Sequence, residues 1–203
     1  IQDYLGDKLN SLTFKPSLAH RIDRDTSGIL IIAKKKDILT KLVADFKNHT
    51  KIRKFYYAIV LWKLPAKSWT INKKLLRIEN ASKEDKVQVS EDWQEAVTKY
   101  KLIWERILKT KNEILTISEV EVEILTWRMH QIRVHMASLW NPILWDDIYW
   151  NNSLISYLSR DFVLVRQALH SWKIEIFHYW NDKKVNFEAK IKKDLVDFIN
   201  KTN

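Results

Sequence analysis

The chain has 203 residues, with 35 lysines and arginines against 25 aspartates and glutamates, and no cysteine. That length suits one domain with a substantial core, 46% hydrophobic content excludes a disordered chain, and no apolar run approaches the ~20 residues of a membrane span. Missing cysteine removes disulfides, thiolate nucleophiles and cysteine-based zinc sites, while a net charge of +10 predicts a nucleic-acid partner in the cytoplasm.

Taken in chain order, residues 1–9 read as an amphipathic helix end and 27–34 (SGILIIAK) as a buried strand. Residues 37–49 place Ile38, Leu39, Leu42, Val43 and Phe46 at helical spacing. Residues 52–61 read as a strand, 65–69 as a loop, and 70–78 and 86–90 as shorter strands around a polar stretch. Longer strands are expected at 96–107 and 113–125, a helix at 129–139, and strands at 162–167 and 169–179. A closing helix spans 192–201, with Leu195, Val196 and Ile199 inward. Strands dominate and neighbours resemble hairpins, which predicts an α+β fold with a mixed, largely antiparallel sheet and flanking helices.

Two features stand out before any motif. The chain opens on Ile1, and its methionines are Met129 and Met136, so an upstream segment is expected. Glycine occurs twice, against roughly 14 at ordinary usage, beside ten tryptophans. Those tryptophans fall in turn-like places: Asp92-Trp93 between strand-like runs 87–90 and 95–103, Trp140-Asn141-Pro142, Trp150-Asn151-Asn152 and Trp180-Asn181-Asp182. A tryptophan at positive φ is strained, so most or all ten are read as standing for glycine, through a UGA codon read differently by the source. The competing reading is an aromatic surface that stacks on RNA bases.

The densest polar cluster is His20-Arg21-Ile22-Asp23-Arg24-Asp25-Thr26-Ser27-Gly28. Arginine neighbours favour an ionised aspartate, a ready nucleophile or base, although a solvated salt-bridge loop has the same composition. A second cluster runs from Thr126 to His135. Its histidines at 130 and 135 diverge by ~140° on a helix, which argues against a shared metal. No phosphate-binding glycine loop can be read. Asp146-Asp147 would suit a Mg²⁺-dependent nuclease only with further acidic ligands.

Four strings in order, HRIDRDTSGILIIAK, RKFYYAIV, TWRMHQIRVHMASLWNPILWDDIYW and RQALHSWKIEI, resemble the RluA-type pseudouridine synthases. The segment between the second and third is similar to the RluC-like branch, which modifies large-subunit ribosomal RNA. The resemblance covers about 18–188 and places Trp127, Trp140, Trp145 and Trp150 on motif glycines, with Trp62 on a further usual glycine.

That resemblance implies a single pseudouridine synthase catalytic domain, N-terminally incomplete, that isomerises uridine to pseudouridine in RNA without metal or cofactor. A monomer with no membrane attachment is expected, and an S4-type RNA-binding domain upstream is left open. It implies Asp23 as the catalytic carboxylate, nucleophile or base, paired with Arg133 through a charge-assisted hydrogen bond. Tyr56 would stack on the uracil, with Tyr57 on the opposite strand face. Arg21 would occupy the place of the flipped base, and Leu169 is a candidate for an apolar wall. His20, His130 and His135 are expected to be structural hydrogen-bonders. The alternative from another class is a non-catalytic RNA-binding relative of the same fold.

Overall fold

The structure is a computed structural model that describes residues 14–48, 51–79, 85–109, 114–150, 164, 166–177 and 183–202. In chain order the elements are β1 (Ser17–Leu18), β2 (Ser27–Gly28), β3 (Ile32–Ala33), α1 (Lys36–Asn48), β4 (Ile52–Leu61), β5 (Ser68–Asn72), β6 (Leu75–Ile78) and β7 (Lys86–Val89). They continue as β8 (Val97–Lys109), β9 (Ile114–Ile124), α2 (Gln131–Ala137), β10 (Leu169–Phe177), β11 (Lys184–Glu188) and α3 (Lys193–Lys201). A sheet in the order β11-β10-β4-β9-β8-β5 is antiparallel throughout, and β2 joins β10 in parallel. The expected mixed, largely antiparallel α+β architecture is therefore the observed one.

Sequence accounts for the centre of this sheet. In β4 every residue but Arg53 is buried, so the strand reads as a nearly unbroken apolar and aromatic run. Ile59, Val60 and Leu61 pack with Val120 and Val122 of β9, and with Met136 of α2. On another side, α1 inserts Leu42 and Phe46 against Ile52 of β4 and Ile174 and Ile176 of β10. Asp37 in its first turn and Lys47 in its last complement the helix dipole. Burying a side chain such as Phe46, 1% exposed, is worth about 2–3 kcal/mol.

Several elements differ from the sequence reading. The run 27–34 is not one strand: β2 pairs with β10, β3 pairs with β1, and Gly28 at the end of β2 has φ 123°. An ideal Cβ on Gly28 would lie 2.1 Å from the Ser171 carbonyl oxygen, so only glycine permits this approach. Residues 70–78 divide into β5 and β6, which belong to different sheets. The hairpin expected across Asp92-Trp93 is not formed. Instead β7 pairs with β6, and Gln94 bridges to Leu75, because Val87 and Leu75 share a small core with Val134.

Leu164, Arg166 and Gln167 lie outside any strand, and 162–163 lie outside the described residues. In α3 Leu195 and Phe198 are buried and Ile199 packs partly buried against the same core, while Val196, expected inward, is 37% exposed. The expected helix end at 1–9 and the turn at 180–182 also fall outside the described residues. Among the described residues no helix is long and apolar enough to cross a membrane.

Candidate functional site

Three local designs converge on one cleft. The first is the loop 20–28, held by side chains that follow it far along the chain. Thr26 donates its backbone N–H to the Asp23 carbonyl, closing a tight turn in which Asp25 has φ 67°. Gln167 Nε2 donates to Thr26 Oγ1 at 2.7 Å and to the Arg24 carbonyl at 3.1 Å. Arg166 donates to the Asp25 carbonyl, and Ser27 Oγ shares a 2.8 Å hydrogen bond with His170 Nδ1. The string RQALH thus clamps the Asp23 loop, and the parallel contact of Gly28 with Ser171 locks it to the sheet edge.

The second design is the entry to α2. Gln131, buried, accepts hydrogen bonds from Thr126 Oγ1 and the Arg128 N–H, and donates to the Val97 carbonyl and Thr98 Oγ1. His130 just before the helix has φ 53°. Its Nδ1 shares a 2.7 Å hydrogen bond with Tyr149 Oη, which also accepts from the Val87 N–H. His135 bonds Thr98 Oγ1 and the Lys73 carbonyl. This geometry turns Arg133 inward, 2% exposed.

Third, β4 and β10 present Tyr56 and Leu169, and Tyr56 pairs in register with Ser171. Tyr57 faces the other way and donates to Glu119 at 2.5 Å, as the alternation of a strand requires.

The result is a cleft of about 820 Å³ lined by Arg21, Asp23, Tyr56, Trp127, His130 and Leu169 among others. Four of the five residues singled out from sequence thus line it. Arg133, the fifth, sits against it with Nη1 4.0 Å from the Asp23 carboxylate.

The expected hydrogen bond between Arg133 and Asp23 is not formed. Arg133 instead forks Asp146, with Nε to Oδ2 at 2.7 Å and Nη2 to Oδ1 at 2.8 Å. Asp146 is fully buried, and its Oδ1 also accepts the N–H groups of Ile148 and Tyr149. Asp147, its side chain 81% exposed, brings Oδ1 to 3.9 Å from Arg133 Nη2, a loose contact beside the buried Asp146 fork. Among the described residues no three histidine, aspartate or glutamate side chains gather as a metal site.

Burial pushes the Asp23 carboxyl above its ordinary range, against the pull of His130, Arg133 and Arg21, and the charge of Asp146 adds to the rise. Burial and the charge of Asp23 push the Tyr56 phenol upward as well, so it keeps its proton at neutral pH.

Sequence reasoning missed Gln131, Gln167 and Tyr149 as supports of the site and read Asp146 only as a weak metal ligand. A signal existed for Asp146: it directly follows the apolar run Ile143-Leu144-Trp145, and a polar group buried there must find partners.

Comparison with known proteins bears on the same strings. Residues 4–138 match the family model for RNA pseudouridylate synthase. The ribosomal large subunit pseudouridine synthase C of Buchnera aphidicola is 34% identical over 185 residues, 91% of this chain and 54% of the relative. The protein of the same name from Vibrio cholerae is 33% identical over 184 residues, again 91% and 54%. The chain therefore spans about half the length of these curated relatives, whose names agree with the expected RluC-like branch. A structure of human RNA pseudouridylate synthase domain containing 1 superposes with a TM-score of 0.71 at 22% identity, covering 87% of this chain and 69% of that one. The human domain containing 4 structure gives 0.70, covering 92% and 76%. With its motifs in order, its fold shared and two thirds of its length matched by the family model, the chain belongs to the RNA pseudouridylate synthase family.

Proposed function

We propose that the protein to which this chain belongs isomerises uridine to pseudouridine in RNA, with large-subunit ribosomal RNA as its substrate. The observation that carries the reading is the partly buried Asp23 carboxylate in a cleft beside Tyr56, with the Arg133 guanidinium 4.0 Å away. The bond from uracil N1 to the sugar breaks, the base turns, and C5 bonds to the same sugar carbon. The C5 proton then leaves to solvent and N1 takes one up. Asp23 acts as the nucleophile or base that starts this exchange, and Tyr56 stacks on the uracil. The target base must first leave the RNA stack, and Arg21 at the cleft wall fits the vacated place. Leu169 supplies an apolar wall. We read the chain as one catalytic domain of a monomeric cytoplasmic enzyme that uses neither metal nor cofactor.

The test is tritium release from large-subunit ribosomal RNA labelled at uracil C5, using full-length protein beside an Asp23→Asn control. Release that vanishes in the control supports isomerisation through Asp23. RNA binding without release favours a non-catalytic relative, and strand cleavage that requires Mg²⁺ favours a nuclease.

A further inference from the structure

Arg133 has two edges: one forks Asp146, with the exposed Asp147 3.9 Å from Nη2, and the other faces Asp23. Nε and Nη2 are spent on Asp146, a bidentate fork of the kind that fixes a guanidinium plane. Nη1, on the other edge, is turned toward Asp23 at 4.0 Å. Asp146 is itself held by two backbone N–H groups of the turn that follows it, and the Arg133 guanidinium lies 5.1 Å over the Tyr149 ring. The arginine is thereby gripped from below and from one side. We propose that Asp146 is a positioning residue for the isomerase: it holds Arg133 so that one N–H edge faces Asp23 without closing onto it. This rests on the reading of Asp23 as the reacting carboxylate. A direct Arg133–Asp23 fork would bind the Asp23 oxygens that the sugar must meet. The grip of Asp146 keeps them available while the positive charge stays close.

The experiment compares wild type, Asp146→Asn, Asp146→Glu and the exposed control Asp197→Asn on α3, all full length, by tritium release and by ¹³C titration of the Asp23 carboxyl. Asp146→Asn is expected to lower kcat about tenfold or more per folded molecule, with RNA affinity within about twofold of wild type. Its Asp23 titration and the acid limb of kcat should both move to lower pH, because a negative charge is lost and Arg133 is freed to close on Asp23. Asp197→Asn should match wild type. If Asp146→Asn does not fold, Asp146→Glu decides, through a lowered kcat with the charge retained. Wild-type kcat and an unmoved Asp23 titration in the folded variants overturn the proposal. Wild type that releases no tritium overturns the functional reading instead, while the Asp23 titration still reports on the grip of Asp146.

Three tryptophans sit where an L side chain is strained: Trp62 at φ 64°, Trp140 at φ 62° and Trp145 at φ 59°. Only two other non-glycine residues among those described share that region, Asp25 and His130. Aspartate and histidine enter it more readily than bulky residues do. The Trp140 ring is 78% exposed, and the Nε1 groups of Trp145 and Trp150 are buried without a hydrogen-bond partner, although buried indoles ordinarily find one. Base stacking by tryptophan requires neither positive φ nor an orphaned indole N–H. We infer that positions 62, 140 and 145 carry glycine in the protein made by its own ribosomes, the codon written as tryptophan being read as glycine there. Peptide sequencing by mass spectrometry of the native protein tests this directly. Glycine masses at all three positions are expected, and tryptophan masses overturn the inference.

Discussion

Strand β4 carries two buried polar neighbourhoods on one face, two residues apart, and they are built in opposite ways. At Tyr56 the strand meets the Asp23 cleft. There the buried charges of Arg133 and Asp146 satisfy each other, and two backbone N–H groups complete the carboxylate. At Lys54, 1% exposed, the ammonium has no hydrogen-bond partner. It lies 3.9 Å from the centre of the Trp127 ring and 5.3 Å from that of Phe46. His20 stacks on Phe46 nearby, its pKa lowered to about 4 by burial and by the charge of Lys54. Burial alone lowers the Lys54 amine from 10.5 to about 7. Both neighbourhoods have paid for desolvation, but only the first recovers it through geometry. An unpartnered buried charge responds by shifting its titration, whereas a forked pair keeps both charges.

Breaking the satisfied pair should have the largest effect. Arg133→Gln leaves Asp146 a buried, uncompensated carboxylate and is expected to cost roughly 3–5 kcal/mol in a denaturant titration. Loss of the positive charge should also abolish tritium release from the labelled RNA.

Next comes the support of the same site. Gly28→Ala would place a Cβ 2.1 Å from the Ser171 carbonyl oxygen, against backbone that cannot yield cheaply. A loss of about 3 kcal/mol and detachment of the 20–28 loop are expected, read as faster amide exchange at Thr26 and Ile29.

Opposite in sign is Lys54→Met, which replaces an orphaned amine by an apolar side chain of similar length. It should stabilise the protein by about 2 kcal/mol near pH 6. In wild type the unfolded chain binds the extra proton between pH about 7 and 10.5, so Lys54 makes stability rise with pH across that window, at most about 1.4 kcal/mol per unit. Below pH 7 its penalty is full. The gain from methionine should therefore shrink as pH rises toward 10, and a gain independent of pH would contradict the assignment.

The smallest effect is expected at the clamp. Gln167→Ala leaves Thr26 Oγ1 and the Arg24 carbonyl without that donor and should cost about 1–2 kcal/mol. The loss of kcat in the tritium-release assay should be larger than that stability change alone accounts for, because Asp23 rides on this loop.

Much of this was legible in the residue order. The β4 run 52–61 and the helix around Leu42 and Phe46 announce themselves by burial pattern, and both appear where periodicity puts them. Asp23, Tyr56 and Arg133 could be named as candidates because the strings that hold them resemble those of the RluA-type pseudouridine synthases. Strand partners were harder. The runs 87–90 and 95–103 look like a hairpin by length and turn residues, yet Val87 joins Leu75 instead, since a shared apolar core outweighs sequence proximity.

Residue order by itself therefore determined the basic α+β chain, its central buried strand and helices, and the turn at Trp140, whose φ is 62°. Those properties depend on neighbours within a few positions, through side-chain periodicity and backbone sterics. Tertiary structure alone decided which of two carboxylates Arg133 grips and that Lys54 goes without a partner. It also decided that Gln167 and Gly28, far apart in the chain, together hold Asp23 in place. A guanidinium offers several donors and a carboxylate several lone pairs, so composition leaves their pairing open until the backbone brings particular atoms within about 3 Å.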